Sequence, residues 1–241
     1  MRRLDTIQGM SPFFRFVSQR ALLPLLFAVA ISPVWIPAQI RAQSATNVLD
    51  ASALHPPAGA RVAIVEFSDL ECPACAHANP ILMQAVSQYK IPWVRHDLLI
   101  PGHPWSPVAA VNARFFDTKG TGLGDQYRNA VFANQTYIYN VNVLNQFTQK
   151  FADDHHVTMP FSVDPEGKLS AAVKADTQLG QRTGILHTPT IFIVTAHSKG
   201  APYIEVQNPD TDLYKIIDQA LEDTKQAAAA PAPHRRTSKK H

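Results

Sequence analysis

Apolar and polar positions alternate between two periods along this chain, and the change of period marks its elements. Arg61 to Phe67 is an almost unbroken apolar, β-branched run, the signature of a buried strand. Downstream of Pro73, Ile81, Leu82, Ala85, Val86 and Tyr89 recur at helical spacing, with Pro80 as an internal kink, and Pro92 to Leu99 then returns to a strand-like run. From 104 to 184 the period is helical. Val108, Val111, Phe115 and Phe116 form one stripe, Tyr127, Val131 and Phe132 a second, and Val143, Leu144, Phe147 and Phe151 a third. Asp164-Pro165-Glu166 reads as the capped start of a fourth helix that ends near Gly184. Strands are expected again at Thr190–Thr195 and Tyr203–Gln207, around the turn His197-Ser198-Lys199-Gly200. A last helix over 210–226 carries Leu213, Ile216, Ile217, Ala220 and Leu221 on one face. Strand, helix, strand, helical block, two strands and helix make an α/β fold with an inserted helical subdomain.

The two ends differ in character from this core. Arg2, Arg3, Arg15 and Arg20 precede an apolar stretch, Ala21–Ile36, and a small-residue exit over 38–45. That is the layout of a secretory signal over residues 1–42 with cleavage after Ala42. Left uncleaved it is a membrane anchor, although Pro24, Pro33 and Pro37 interrupt it and a span needs about 20 apolar residues. Residues 43–60 read as a linker, and 227–241 as a disordered Ala/Pro-rich, basic tail. The formal charge of +3 is carried by these ends, because residues 43–226 hold 13 basic and 18 acidic side chains. No basic footprint for nucleic acid remains in the core.

The chain's two cysteines both fall in Cys72-Pro73-Ala74-Cys75, between the first strand and the first helix. So short a loop removes little entropy from the unfolded chain, so a disulfide there is a poor staple and a good redox switch. Pro73 suits the first helical turn, and a thiolate at Cys72 would face the free N–H groups of Ala74 and Cys75 at the helix's positive end. Cys72 is then the exposed nucleophile and Cys75, one turn deeper, the resolving thiol. Zinc held by Cys72, Cys75 and His77 lacks a fourth ligand at usual spacing, and no metal or cofactor beyond the redox-active disulfide is expected. His103, Trp105 and Pro107 read as a packing loop or the edge of a substrate groove.

With Glu66 six residues before Cys72, Pro80 five after Cys75, and Thr188-Pro189-Thr190 before an apolar strand, residues 61–226 resemble the thioredoxin superfamily. The size of the insertion resembles its DsbA-like branch of exported thiol-disulfide oxidoreductases. The resemblance implies a thioredoxin domain over 61–103 and 185–226 with the insertion at 104–184. It implies Glu66 as a buried acid that exchanges a proton with Cys75. It also implies Pro189 as a cis-proline beside the active site, with Thr188 and its neighbours pairing with an extended substrate. Protein thiols or disulfides are the implied substrates, and a membrane redox partner, quinone-linked oxidase or electron donor, is implied to reset the site in a periplasmic or other extracytoplasmic space. Oxidation is favoured over reduction. A non-catalytic thioredoxin-like peptide-binding or chaperone protein is the alternative. Two positions depart from the family. Ala74 stands where strongly oxidising DsbA proteins carry His, which places Cys72 in the upper part of the family's pKa range of about 3.5 to 7. His187 stands where relatives carry a small or apolar residue, and either faces the cysteines or lies in solvent.

Overall fold

A computed structural model describes residues 48–198 and 200–229. The expected signal segment, and the tail beyond 229, lie outside the described residues. Among the described residues six α-helices and four strands run in the order β1 Val62–Ser68, α1 Pro73–Tyr89, β2 Trp93–Asp97, α2 Ser106–Asp117, α3 Leu123–Asn134, α4 Val141–Asp154, α5 Lys168–Thr183, β3 Thr190–Thr195, β4 Tyr203–Glu205 and α6 Pro209–Ala229. A 3₁₀ turn, Gln135–Tyr137, joins α3 to α4. The sheet order is β2-β1-β3-β4. β1 pairs in parallel with β2 and antiparallel with β3, which pairs antiparallel with β4.

The apolar run of β1 is explained by burial on both faces. Val62 and Ile64 pack with Ile191, Ile193, Ala78, Leu82, Leu213 and Ile217 beneath α1 and α6. Ala63, Val65 and Phe67 pack on the opposite face with Leu98, Ile185, Phe192 and Val194. Side chains alternate across a strand, so Glu66 shares the α1 face with Val62 and Ile64. The helices between β2 and β3 enclose a third core in which Phe116 meets Tyr127 and Phe151 at ring-centroid distances of 4.8 and 4.9 Å. This core continues into Leu70, Cys72, Cys75 and Trp105. The helical insertion and the cysteine motif are thus packed as one apolar unit. Burying each large aromatic there contributes about 2–3 kcal/mol.

Gly124 sets the spacing of α2 and α3. A Cβ at that position would sit 2.7 Å from the Ala113 carbonyl oxygen and collide with the Asp117 carboxylate, which pairs with Arg128 at 2.9 Å. Gly124→Ala is expected to destabilise the protein by about 1–3 kcal/mol, as overpacking does, measured by urea denaturation.

Three boundaries differ from the sequence expectation. Helix α5 starts at Lys168, behind Gly167 at φ 69°. Asp164 still caps it, but by reaching forward to the N–H groups of Leu169 and Ser170 at 2.9 Å each. Helix α6 continues to Ala229, into the alanine run expected to be tail. The described part of the expected linker is packed chain: Leu54 is buried with the β-sheet's second face, and the Leu49 N–H donates to the Thr183 carbonyl at 3.0 Å.

Candidate active site

Strand β1 runs into the turn Asp69-Leu70-Glu71-Cys72, closed by the Cys72 N–H donating to the Asp69 carbonyl at 3.0 Å. The buried Asp69 carboxylate accepts from the N–H of Glu71 and that of Ile100, each at 2.8 Å. His103 Nδ1 lies 3.1 Å from Asp69 Oδ1, within ion-pair range but not aligned as a hydrogen bond. The Glu71 carboxylate accepts from the backbone N–H groups of Trp105, at 2.7 Å, and Ser106, at 3.0 Å. Helix α2 has no capping side chain of its own, so Glu71 satisfies donors its first turn would leave orphaned. Of the three residues the sequence singled out here, Trp105 is buried in the insertion's core, His103 is partly buried and Pro107 is exposed.

Cys72 is the N-cap of α1, in extended conformation (φ −76°, ψ 120°), with Pro73 in the first turn and no side-chain cap. The helix's first N–H groups are therefore left for the sulfur. Cys72 Sγ donates to the Thr188 carbonyl at 3.3 Å, and the Thr188–Pro189 peptide bond is cis. Both cysteines are free thiols and both are buried. Against the expectation of an exposed nucleophile, Cys72 is only 8% exposed, because the insertion's core packs against it. It remains the more accessible of the two, with Cys75 fully buried. The Cys72 pKa is drawn down to about 5, first by a hydrogen bond from the Cys75 thiol. Partial burial opposes this, and the Thr188 side chain and the Cys75 and Ala74 N–H groups reinforce it. The value falls in the middle of the range rather than its upper part. Ala74 brings no cation, but hydrogen bonds take its place. Cys75 moves the opposite way, its thiol held protonated by burial, by its bond to Cys72 and by the Glu66 charge.

Glu66 is fully buried on the face beneath α1. Its Oε2 accepts from Trp93 Nε1 at 3.0 Å and lies 3.9 Å from Arg95 Nε. Arg95 stacks over the Trp93 ring at 3.4 Å and spends Nη2 on the side-chain oxygens of Asn79 and Asn129, both at 2.8 Å. Desolvation raises the Glu66 pKa to about 7, against the opposing pull of Arg95 and the Trp93 hydrogen bond.

The thioredoxin family model matches residues 57–229. The chain belongs to the thioredoxin family. No curated protein matches it. Among solved structures, alpha-DsbA1 of Wolbachia pipientis is 14% identical, over 72% of this chain and 91% of its own, at a TM-score of 0.56. Oxidised BdbD of Bacillus subtilis is 18% identical over 74% and 96%, at 0.55. A periplasmic thioredoxin-like protein of Salmonella enterica serovar Typhimurium is 20% identical over 69% and 88%, at 0.54. Identities this low establish a shared fold, a thioredoxin fold with a helical insertion.

In this thioredoxin-family site the Cys72 sulfur meets Thr188 beside the cis Pro189, and the buried Glu66 is near enough for its charge to act on Cys75. His187 does not join them. Its ring is exposed, and Nδ1 lies 3.0 Å from the Thr190 hydroxyl. Thr190 sits on the sheet face away from α1, where the His187 charge is felt by Glu205 instead. His187→Ala is accordingly expected to leave the Cys72 titration where it is, checked by thiolate absorbance against pH; a rise of half a unit or more would place the ring at the sulfur. Sequence reasoning missed Trp93, Arg95 and Gln135. The first two carried a signal: they alternate along β2, in register with Ile64 and Glu66. Gln135, more than 60 residues from Cys72 in sequence, carried none.

Proposed function

We propose that this protein is an exported thiol-disulfide oxidoreductase that exchanges disulfides with protein substrates through Cys72 and Cys75, running as an oxidase. The observation that carries the proposal is Cys72 at the head of α1, its sulfur 3.3 Å from the Thr188 carbonyl that precedes the cis Pro189. In the oxidised enzyme a substrate thiolate attacks Cys72 Sγ, forming a mixed disulfide and breaking the Cys72–Cys75 bond. The electron pair leaves on Cys75, a strong base in its buried position, and Glu66 supplies its proton. A second substrate thiolate then attacks the substrate sulfur of the mixed disulfide. Cys72 leaves as a stable thiolate. The substrate has lost two electrons and two protons; one proton resides on Cys75 and the other goes to solvent. A membrane quinone-linked partner takes up the two electrons and restores the disulfide. The backbone of Thr188 and Pro189, beside the nucleophile, offers an extended substrate a strand edge to pair with.

The oxidising direction is supported by thermodynamics. A thiolate stabilised at neutral pH favours the reduced dithiol, and an enzyme whose reduced form is favoured oxidises others. Export is supported by the N-terminal residue pattern and by the likeness to the periplasmic thioredoxin-like protein of Salmonella.

Oxidation of a reduced, denatured test protein, followed by recovery of its activity, tests the proposal. The wild type is expected to accelerate it and the Cys72→Ser/Cys75→Ser double variant to do nothing. Equal effects of the two would favour peptide binding without catalysis. The equilibrium with glutathione decides direction: a potential above about −230 mV is expected, and one near the −270 mV of thioredoxin itself would reverse it to reductase.

A further inference from the structure

Gln135 stands in the 3₁₀ turn after α3, with its backbone already committed: its N–H donates to Phe132 and its carbonyl accepts from Ile138 at 3.1 Å. Ile138, buried in the insertion's core, pins the turn. The Gln135 side chain is thereby free to reach the cysteine loop. Nε2 donates to the Leu70 carbonyl and to the Cys72 carbonyl, both at 3.0 Å. Two carbonyl acceptors leave no doubt about the amide's orientation, since only its nitrogen donates. The two bonds straddle Glu71, whose own carboxylate is fixed to the start of α2.

The Cys72 carbonyl also accepts the first helical bond of α1, from the Ala76 N–H at 3.1 Å. Fixing that peptide plane fixes the Cys72 ψ, and with it the angle at which the Ala74 and Cys75 N–H groups meet the sulfur. Pro73 has no N–H to substitute for them. The amide also brings the positive end of one N–H dipole to the nucleophile's own carbonyl, and that of the other to Leu70, two residues before it.

We propose that Gln135 is a positioning residue for disulfide exchange: by gripping the carbonyls of Leu70 and Cys72 from the helical insertion, it holds the nucleophile's turn at the head of α1. The inference rests on the oxidoreductase reading above and assigns that site a determinant outside the thioredoxin domain's own strands and helices.

Gln135→Met preserves length and removes both donors. Its Cys72 titration, followed by thiolate absorbance, is expected to move up by about one pH unit, and its equilibrium with glutathione about tenfold toward the protein disulfide, because a less stable thiolate disfavours the reduced form. Far-UV circular dichroism is expected to match the wild type. Gln135→Lys, which keeps a donor, is expected to return both readouts toward wild type. A folded Gln135→Met with unchanged titration and equilibrium overturns the proposal. Should that variant not fold, ¹⁵N-labelled wild type decides: the Gln135 side-chain amide resonances are expected to shift in step with Cys72 ionisation, and their invariance overturns the proposal. Failure of the oxidoreductase reading would look different, since wild type itself would then not exchange with glutathione while the Gln135 dependence of the Cys72 titration persisted.

Discussion

A Cys72→Ser variant is expected to oxidise a reduced test protein no faster than buffer does. Serine's hydroxyl is not ionised at neutral pH, so the helix N-terminus has no anion to hold and no group that leaves as one. Cys75 does not take over, because it is fully buried and its thiol is held protonated. Cys75→Ser is expected to behave differently. Its Cys72 still attacks disulfides but has no neighbour to resolve the product, so mixed disulfides with substrate accumulate and appear as covalent adducts on non-reducing gels. The largest influence on Cys72 acidity is the hydrogen bond from the Cys75 thiol. A serine hydroxyl replaces that donor and alanine does not, so the Cys72 pKa is expected to be higher in Cys75→Ala than in Cys75→Ser. Equal values would remove Cys75 from the account of why Cys72 is acidic.

Glu66→Gln is expected to slow exchange and stabilise the fold at once. Glutamine has no proton to give Cys75, so the step that releases Cys75 is expected to slow by about 10²-fold, the lower end for loss of a general acid or base, measured by stopped-flow with a reduced peptide. The stability effect has the opposite sign. The native state holds the Glu66 proton up to about pH 7, whereas the ordinary value is 4.5. Between those values the native protein binds more protons than the unfolded chain, so stability falls as pH rises through this window, and the full cost is present above 7. The buried carboxylate therefore costs on the order of 3 kcal/mol at pH 8. Urea denaturation is expected to find Glu66→Gln more stable than wild type by that amount at pH 8 and nearly equal to it at pH 4. A variant less stable than wild type at pH 8 would mean that the Arg95 and Trp93 contacts outweigh desolvation.

Much of this site was legible because its parts are local or punctuated. Cys72 and Cys75 lie within one helical turn, Pro73 marks the helix start, and Glu66 is the charge in an apolar strand, where burial is the expectation. The α/β order followed from the change of period at each boundary. What escaped depends on tertiary contact. Asp164 caps α5 across an intervening turn, so the helix begins later than the cap residue suggests. Leu54 looked like linker until the sheet supplied its partner. The pKa of Cys72 was set too high by counting the missing cation at Ala74, since hydrogen bonds from Cys75 and from the Thr188 side chain, far away in sequence, lower it instead. Gln135 sits in a polar 3₁₀ turn of unremarkable composition, and only the folded chain brings it to Cys72.

Titrating the reduced protein by thiolate absorbance at 240 nm tests the central claim most directly. One thiol is expected to ionise near pH 5 and the other to stay silent through pH 10. Two thiols ionising together near pH 9 would mean that the head of α1 does not hold a sulfur anion, and the mechanism built on it would fall.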